Sequence, residues 1–379
     1  MDSSKMMAIL VVAVVAVAAA GGFAIWKNSN DKSDDEEIEV SISYLNLSYY
    51  PFMVGFEKGF FDDLGFKVKP VLVEGSGNVS VEALTSGNAT MAATGDGPFV
   101  NAFSKNPDDI VALCQWSESS GALTGHQWIV KTSKTYACLS GNAVSTIAKD
   151  SNGITTNSQT VANEIKAITA AGQGNMNGKF MVCVNQGSTT HTNFMKWCLA
   201  NGLSYTTDAN ASADVYINAI PKATAANFTE IFNSDSTDAV ACNNSIFGTM
   251  QSALGDNIKK ISDSSAINEA TYSVLCTTKA NYEKYSDQML KILEKLKEIY
   301  AWMDANLDET VQIIANLTNQ SEESILNTYN GAARKIVWET DNLGAWVTTA
   351  SIGGYDITAE QFANACPDKI KNTINGWYA

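Results

Sequence analysis

Residues 178–203 read GKFMVCVNQGSTTHTNFMKWCLANGL. Phe180 to Val184 is an unbroken apolar run of strand length, and Thr190 to Asn201 has helical character, so the segment reads as strand, tight loop and helix. The loop carries Gly187, Ser188, Thr189, Thr190 and His191. Free amides at a helix N-terminus, joined by Ser and Thr hydroxyls, make a receptacle for an anion such as sulfonate, nitrate or carboxylate. Plain capping of the helix by Ser188 or Thr189 is the competing reading of the same residues. His191 and His126 are the only two histidines, and their separation has no metal-ligand spacing, so both read first as structural.

The same rhythm extends outward. On the N-terminal side, Ile38, Val40, Ile42 and Tyr44 alternate with polar residues as a strand, Pro51 opens a short helix ending at Gly59, and Phe66 to Val73 returns to strand character. Val79 to Leu84 and Pro98 to Ser104 read as helices, separated by strands at Ala89 to Thr94 and Ile110 to Trp116. On the C-terminal side, strands at Asp214 to Ala219 and Asp238 to Cys242 flank a helix at Lys222 to Phe232. Strands alternating with short helices imply βαβ units and a largely parallel sheet. Thr132 to Gly178 differs in texture, being rich in Ser, Thr, Asn, Ala and Gly, and reads as an insertion with a helical stripe at Val161, Ile165 and Ile168. After a strand at Thr271 to Cys276, Met289, Ile292, Leu293, Leu296, Ile299, Tyr300 and Met303 recur at three- and four-residue steps, the stripe of a buried helix face. Asn306, Asp308 and Glu309 suit the start of the next helix.

In open α/β sheets ligands bind beyond the carboxyl ends of the strands, and that rule selects two further loops. Asn46, Ser48, Tyr49 and Tyr50 follow the first strand, and a tyrosine pair offers stiff amphipathic walls to a small ligand or simply packs in a core. Gly95 and Asp96 open the Gly-Asp-Gly-Pro turn, where the glycines let backbone approach closely. Asp96 there takes an amine or caps the next helix. Nucleotide-loop, metalloprotease and nucleophile-elbow motifs do not occur in the chain.

Composition narrows the function classes. Of 379 residues 45% are hydrophobic and 9% aromatic, enough for a large core. Forty acidic against 25 basic residues give a formal charge of -15, which repels polyanions and argues against nucleic acid as a partner. Arg334 is the only arginine, so an anion is expected to rest on amides, hydroxyls or Lys rather than on a guanidinium fork. Met6 to Trp26 is an uncharged apolar run long enough to span a bilayer, preceded by Lys5 and followed by the acidic cluster from Asp31 to Glu37. It reads as an anchor, or as a signal sequence if cut after Ala18-Ala19-Ala20, that leaves the rest of the chain outside the cytoplasm. Seven cysteines without C-x-x-C spacing speak against a metal or redox motif, and Cys114, Cys183, Cys242 and Cys276 read as small buried hydrophobes. Eight glycosylation sequons permit that modification without indicating it in so Asn-rich a chain.

Four segments together resemble the substrate-binding proteins of the nitrate, sulfonate and taurine ABC importers, which share a fold with thiamine-pyrimidine-precursor binders. They are Tyr44 to Phe61 followed by Leu64-Gly65-Phe66, Val81 to Gly95, Gly178 to Leu203, and Ile220-Pro221 through Phe247 with the helical Tyr282 to Leu317. The resemblance covers most of Ile38 to Leu317 and implies a type II periplasmic-binding-protein fold, two α/β lobes around a ligand cleft, here with an N-terminal transmembrane helix. With the anchor or signal sequence at 1–26 and the acidic linker at 27–37 that hydropathy and charge mark out, the expected division is lobe 1 at 38–130 and 269–379, and lobe 2 at 131–268 with the insertion near 132–178. The implied role is capture of a small anionic or heterocyclic nutrient by lobe closure, without enzymatic turnover or a cofactor. The implied partners are an ABC permease and its ATPase, and the implied state is a monomer on the outer face of the membrane. Where the family often has Trp-Glu-Pro, this chain has Asn243-Asn244-Ser245, which removes a carboxylate partner for a ligand amine and makes taurine a weaker candidate. A membrane-tethered sensor, or an enzyme of the same fold acting on a pyrimidine or small carboxylate, is the alternative.

Overall fold

The computed structural model describes residues 38–119, 125–132, 148–267, 269–341 and 343–378. The expected anchor and linker, Cys138, and much of the segment read as an insertion lie outside the described residues. Among the described residues no helix is long and apolar enough to cross a membrane.

Among the described residues twelve strands form two six-stranded sheets. The first sheet contains β1 (Glu39–Leu45), β2 (Lys67–Val73), β3 (Met91–Gly95), β4 (Ile110–Ser119), β11 (Thr271–Thr278) and β12 (Ala333–Val337), in the order β12-β4-β11-β3-β1-β2. The second contains β5 (His126–Lys131), β6 (Phe180–Asn185), β7 (Tyr205–Thr206), β8 (Val215–Ile220), β9 (Ala239–Asn243) and β10 (Ile258–Asp263), in the order β10-β5-β9-β6-β8-β7. The chain thus crosses from the first sheet to the second after Ser119 and returns before Thr271. β5 already belongs to the second sheet, so the crossing precedes the boundary expected at residue 130.

Each sheet is mixed rather than largely parallel. β11 runs antiparallel to both β3 and β4, and β5 runs antiparallel to both β9 and β10. The reason lies in the crossings: a strand entered from the other lobe starts where its neighbours end, and must run back against them. With those strands in place the two sheets repeat one pattern, β2-β1-β3-β11-β4 in the first and β8-β6-β9-β5-β10 in the second. β1 and β6 are equivalent strands, as are β3 and β9.

Helices cover the sheets: α1 (Tyr50–Glu57), α2 (Gly77–Thr85), α3 (Asp96–Lys105), α4 (Ser158–Ala170), α5 (Thr189–Ala200), α6 (Ala225–Asn233), α7 (Asn244–Leu254), α8 (Lys279–Ala305), α9 (Leu307–Thr318), α10 (Glu322–Asn330), α11 (Leu343–Ile352), α12 (Ala359–Ala363) and α13 (Asp368–Gly376). β6 is apolar from Phe180 to Val184 because both of its faces are covered. Phe180, Val182 and Val184 pack with Trp128, Phe194 and Trp197 on one side, while Met181 and Cys183 pack with Phe228, Phe232 and Ile246 on the other. Each of the larger side chains contributes about 1.5–3 kcal/mol by leaving water. Val161, Ile165 and Ile168 of α4 belong to the first of these cores, so the described part of the supposed insertion is integral to the second lobe. In the first lobe, all seven residues of the stripe from Met289 to Met303 are buried on one face of α8. The six described cysteines are unpaired and buried.

Candidate functional site

Four equivalent strand ends face one another, and each passes directly or through a short loop into a helix. β1 leads to α1, β3 to α3, β6 to α5 and β9 to α7. Between them lies a cavity of about 160 Å³. From the first lobe, Tyr49 stands edge-on to Trp116 with ring centroids 4.8 Å apart, and Tyr50 is buried beside it. From the second, Ser188 is the N-cap of α5 and Asn243 that of α7, whose Oδ1 accepts from the Ile246 amide at 2.9 Å.

Of the residues singled out in the sequence, Ser48, Tyr49, Tyr50, Gly95, Ser188, Thr189, Thr190, Asn243 and Asn244 line the cavity. Asn46, Asp96, Gly187 and His191 do not. Asn46 turns its amide to Glu74 at the surface, at 3.4 Å. Asp96 is buried behind the wall, accepting the Gly97 amide at 2.7 Å and the Thr189 hydroxyl. Burial raises the pKa of its carboxyl, partly offset by the charge of Lys196. Gly187, at φ 65°, shapes the loop, and His191 accepts the Gly187 amide on Nδ1 at 3.0 Å, so its ring braces the loop from within. Burial lowers the His191 pKa to about 4.

The hydroxyls of the α5 loop are already engaged. Ser188 Oγ donates to the Asn185 carbonyl at 2.8 Å and accepts from the His191 amide at 3.1 Å, the capping arrangement weighed above. Thr189 Oγ1 accepts from the Gly97 amide at 3.2 Å, and Thr190 Oγ1 pairs with His126 Nδ1 at 2.7 Å. What remains is backbone: the first intrahelical donor of the α5 ladder is Thr192, bonded to the Ser188 carbonyl, so the Thr189 and Thr190 amides precede it.

Sequence reasoning passed over other lining residues. Trp116 ends the run read as a strand, and the strand-end rule would have found it. His126 lines the wall with its pKa lowered by burial to about 4, which makes it a neutral hydrogen-bonding group at neutral pH. Arg334 also lines the cavity, but its guanidinium is committed: Nη2 and Nε reach Asp304 Oδ1 at 3.0 and 3.2 Å, and the group stacks on Tyr329 at 3.6 Å. It is the only residue of full charge among the described residues lining the cavity.

The lobes touch along a seam beside the cavity. Asn78 donates to the Gln186 carbonyl at 2.7 Å, Asn185 to the Gly75 carbonyl at 3.3 Å, and Lys196 of the second lobe to the Ala345 carbonyl of the first at 2.9 Å. Glycines permit this approach: a Cβ on Gly97 would lie 2.9 Å from Thr189 Cα, and one on Gly248 would lie 1.9 Å from Ser324 Oγ. The two lobes are thus in direct contact beside the cavity.

No family model matches the sequence, and no curated protein matches it. Solved structures do match. The periplasmic nitrate-binding protein NrtA from Synechocystis PCC 6803 superposes with a TM-score of 0.64 at 12% identity, over 90% of this chain and 89% of that one. The periplasmic aliphatic sulphonate binding protein SsuA from Escherichia coli gives a TM-score of 0.60 at 16% identity, over 83% of this chain and 91% of its own. A Candida albicans protein described as exhibiting the generic periplasmic binding protein structural fold gives 0.59 at 13%, over 89% and 95%. The chain has the two-sheet periplasmic-binding-protein fold, and it is similar in structure to the sulfonate- and nitrate-binding proteins that its sequence segments resemble.

Proposed function

We propose that this chain is the solute-capturing component of an ABC importer, working outside the cytoplasm and closing its two lobes over a small anionic or heterocyclic nutrient. The observation that carries the reading is the meeting of four strand ends, two of them leading to α5 and α7, at a cavity between the two lobes. Partial positive charge at a helix N-terminus favours an anion by about 0.3–1 kcal/mol when exposed and by more in a partly buried site. Ligand that contacts both lobes shifts the population toward the closed state by its differential affinity for that state.

In this reading lobe 1 comprises the chain from Ile38 to Ser119 and from Thr271 onward, lobe 2 comprises the chain from His126 to Asp263, and residues 1–26 tether the monomer to the membrane ahead of the 27–37 linker. A permease and its ATPase receive the loaded clamp, and the solute is released unchanged. Asn46, Asp96, Gly187 and His191 act indirectly, by shaping the loops whose neighbours touch the ligand. A thermal-shift panel of nitrate, alkanesulfonates, taurine, bicarbonate and pyrimidines on the purified chain tests the proposal. A ligand present at one hundred times its Kd raises stability by about 2.7 kcal/mol. A panel without any shift, or conversion of a compound to product, overturns it.

A further inference from the structure

The strand orders place both chain crossings toward one side of the interlobe seam, and the contacts on the two sides of that seam differ in kind. Resting on the solute-capture reading, we propose that Asn78 is a positioning residue that latches the cleft. Its bond to the Gln186 carbonyl sets how often the lobes part, while Lys196 pins the seam beside the crossings.

Ser119 is paired with Thr271 in the first sheet and Gln127 with Asp263 in the second, so the outgoing and returning stretches begin and end side by side. Lys196 of α5 sits next to them. Its Nζ meets Oε2 of Glu269, within the returning stretch, at 2.7 Å and donates to the Ala345 carbonyl at 2.9 Å, with 6% of the side chain exposed. Asn193, one turn earlier on the same face of the helix, donates to Thr271 Oγ1 at 3.3 Å. Rotation about the crossings disturbs these contacts least, because displacement grows with distance from the axis.

The far side is a lip where the loops after β2, β6 and β8 meet. β2 stands three places from β11 in its sheet, and β8 three places from β5 in the other. At about 4.8 Å per strand that is roughly 14 Å, so a rotation of about 20° parts the lip by about 5 Å. A hydrogen bond there does not survive such a step.

Two bonds cross the lip. Asn185 Nδ2 reaches the Gly75 carbonyl at 3.3 Å, but it also donates to Ala223 of its own lobe at 2.8 Å and keeps that partner when the lobes part. Asn78 Nδ2 reaches the Gln186 carbonyl at 2.7 Å, and among the described residues Gln186 is the one hydrogen-bond partner of this side chain. Gly187, at φ 65°, makes the seat for it: a Cβ there would lie 2.3 Å from Asn78 Nδ2. Lys222 and Glu82 also pair nearby, yet both are exposed and their attraction is screened. The Asn78 bond is therefore made on docking and lost on parting, which gives it leverage over the population of the two states.

The experiment reads parting of the lobes with no solute present. In the purified full chain in detergent, Ser76→Cys installs a thiol at a cavity-lining position that is 5% exposed and whose serine makes no capping bond to α2. A fluorescent maleimide too large for the cavity labels that thiol when the lobes part. The six described native cysteines are buried, and the chain without the substitution supplies the background. Adding Asn78→Ala should speed labelling by about threefold to tenfold, the population shift of one net hydrogen bond, with the melting temperature held within about two degrees. Adding Lys196→Met should do the reverse, lowering the melting temperature by a few degrees and leaving labelling within about twofold. Labelling in the Lys196 variant as fast as in the Asn78 variant, or faster, overturns the assignment, because the seam then parts beside the crossings. Labelling unchanged by Asn78→Ala, or no faster than global unfolding in every chain, overturns it as well. None of these results decides the solute-capture reading, which stands or falls with the thermal-shift panel.

Discussion

The two lobes repeat one strand order yet bring different side chains to their shared cleft. The first lobe presents Tyr49, Tyr50, Trp116 and Tyr272; the second presents Asn185, Thr190, His126 and Asn243. Equivalent strand ends therefore differ in emphasis: the first lobe holds the aromatic rings, with Ser48, Ser117 and Arg334 beside them, and the second holds amides, threonine hydroxyls and the starts of α5 and α7. Neither face is a site alone, because rings without polar contacts do not orient a ligand and a lone helix end is half a charge. Division of labour across the cleft makes closure the step that assembles the site, and each test below asks how strictly the division holds.

The largest effect is expected from blocking the approach itself. Gly97→Val puts side-chain carbon against the Thr189 backbone, where even a Cβ would lie 2.9 Å from Cα. Backbone cannot yield as a flexible side chain does, and overpacking of this kind costs about 1–3 kcal/mol. Because the strain exists only when the lobes meet, ligand affinity should fall about tenfold to a hundredfold, with a larger radius of gyration by solution scattering and an unaltered circular dichroism spectrum. Wild-type affinity in that variant would mean that the two faces act without touching at Thr189. Gly344→Ala, where a Cβ meets nothing within 4 Å, is the control.

Acidification comes next and discriminates between the faces, because both histidines are in the second lobe. Burial holds His126 and His191 at about 4, below the ordinary value near 6.5, so each is neutral in the folded chain. A depressed folded pKa contributes stability that is present above pH 6.5 and is lost as pH falls toward 4. At pH 5 the loss is about 1–2 kcal/mol per histidine. Protonating His191 Nδ1 also removes the acceptor for the Gly187 amide. Melting temperature should therefore drop between pH 7.5 and pH 5, and His191→Asn should flatten part of that slope. Asp96 acts in the opposite direction, since burial raises its pKa and acid relieves its charge. An unchanged slope in the His191 variant would assign the acid sensitivity elsewhere.

Much of the polar face was legible in the sequence, and most of the aromatic face was not. Ser188 to Thr190 follow a strand and open a helix, a pattern with a local physical meaning that can be read from residue types alone. Tyr272 and Tyr329 arrive from the returning part of the chain, and their place depends on β11 and α10 being carried back across the first lobe. Asp96 shows the limit of local reading: a carboxylate in a glycine turn looks like a ligand group, yet its partners are the Gly97 amide and a threonine of the other lobe. The antiparallel strands were missed for the same reason, because strand direction is set by where the chain enters a sheet. Arg334, singled out as the only arginine, stands in the wall but spends its charge on Asp304.

Arg334 gives a smaller test of the aromatic face. Arg334→Lys keeps the charge but loses the flat stack on Tyr329 and the paired bonds to Asp304. The Tyr329 wall should loosen and ligand affinity fall about threefold to tenfold, the range of one such interaction of about 1 kcal/mol. An effect confined to melting temperature would take Tyr329 out of the ligand's surroundings.

The smallest effect is expected at the rim, where Lys222 of the second lobe meets Glu82 of the first at 2.8 Å with both side chains 59% exposed. This ion pair spans the same seam as Gly97 and Thr189, so a static picture would rank it beside them. Physical reasoning ranks it last, because exposed pairs contribute about 0–1 kcal/mol and are screened by salt. Glu82→Gln leaves alone the Lys222 backbone that packs on Gly75, and it should change affinity by no more than about twofold at 0.15 M salt. A tenfold loss that disappears in 1 M salt would show that charge at the rim, rather than the fit of buried backbone, draws the two faces together.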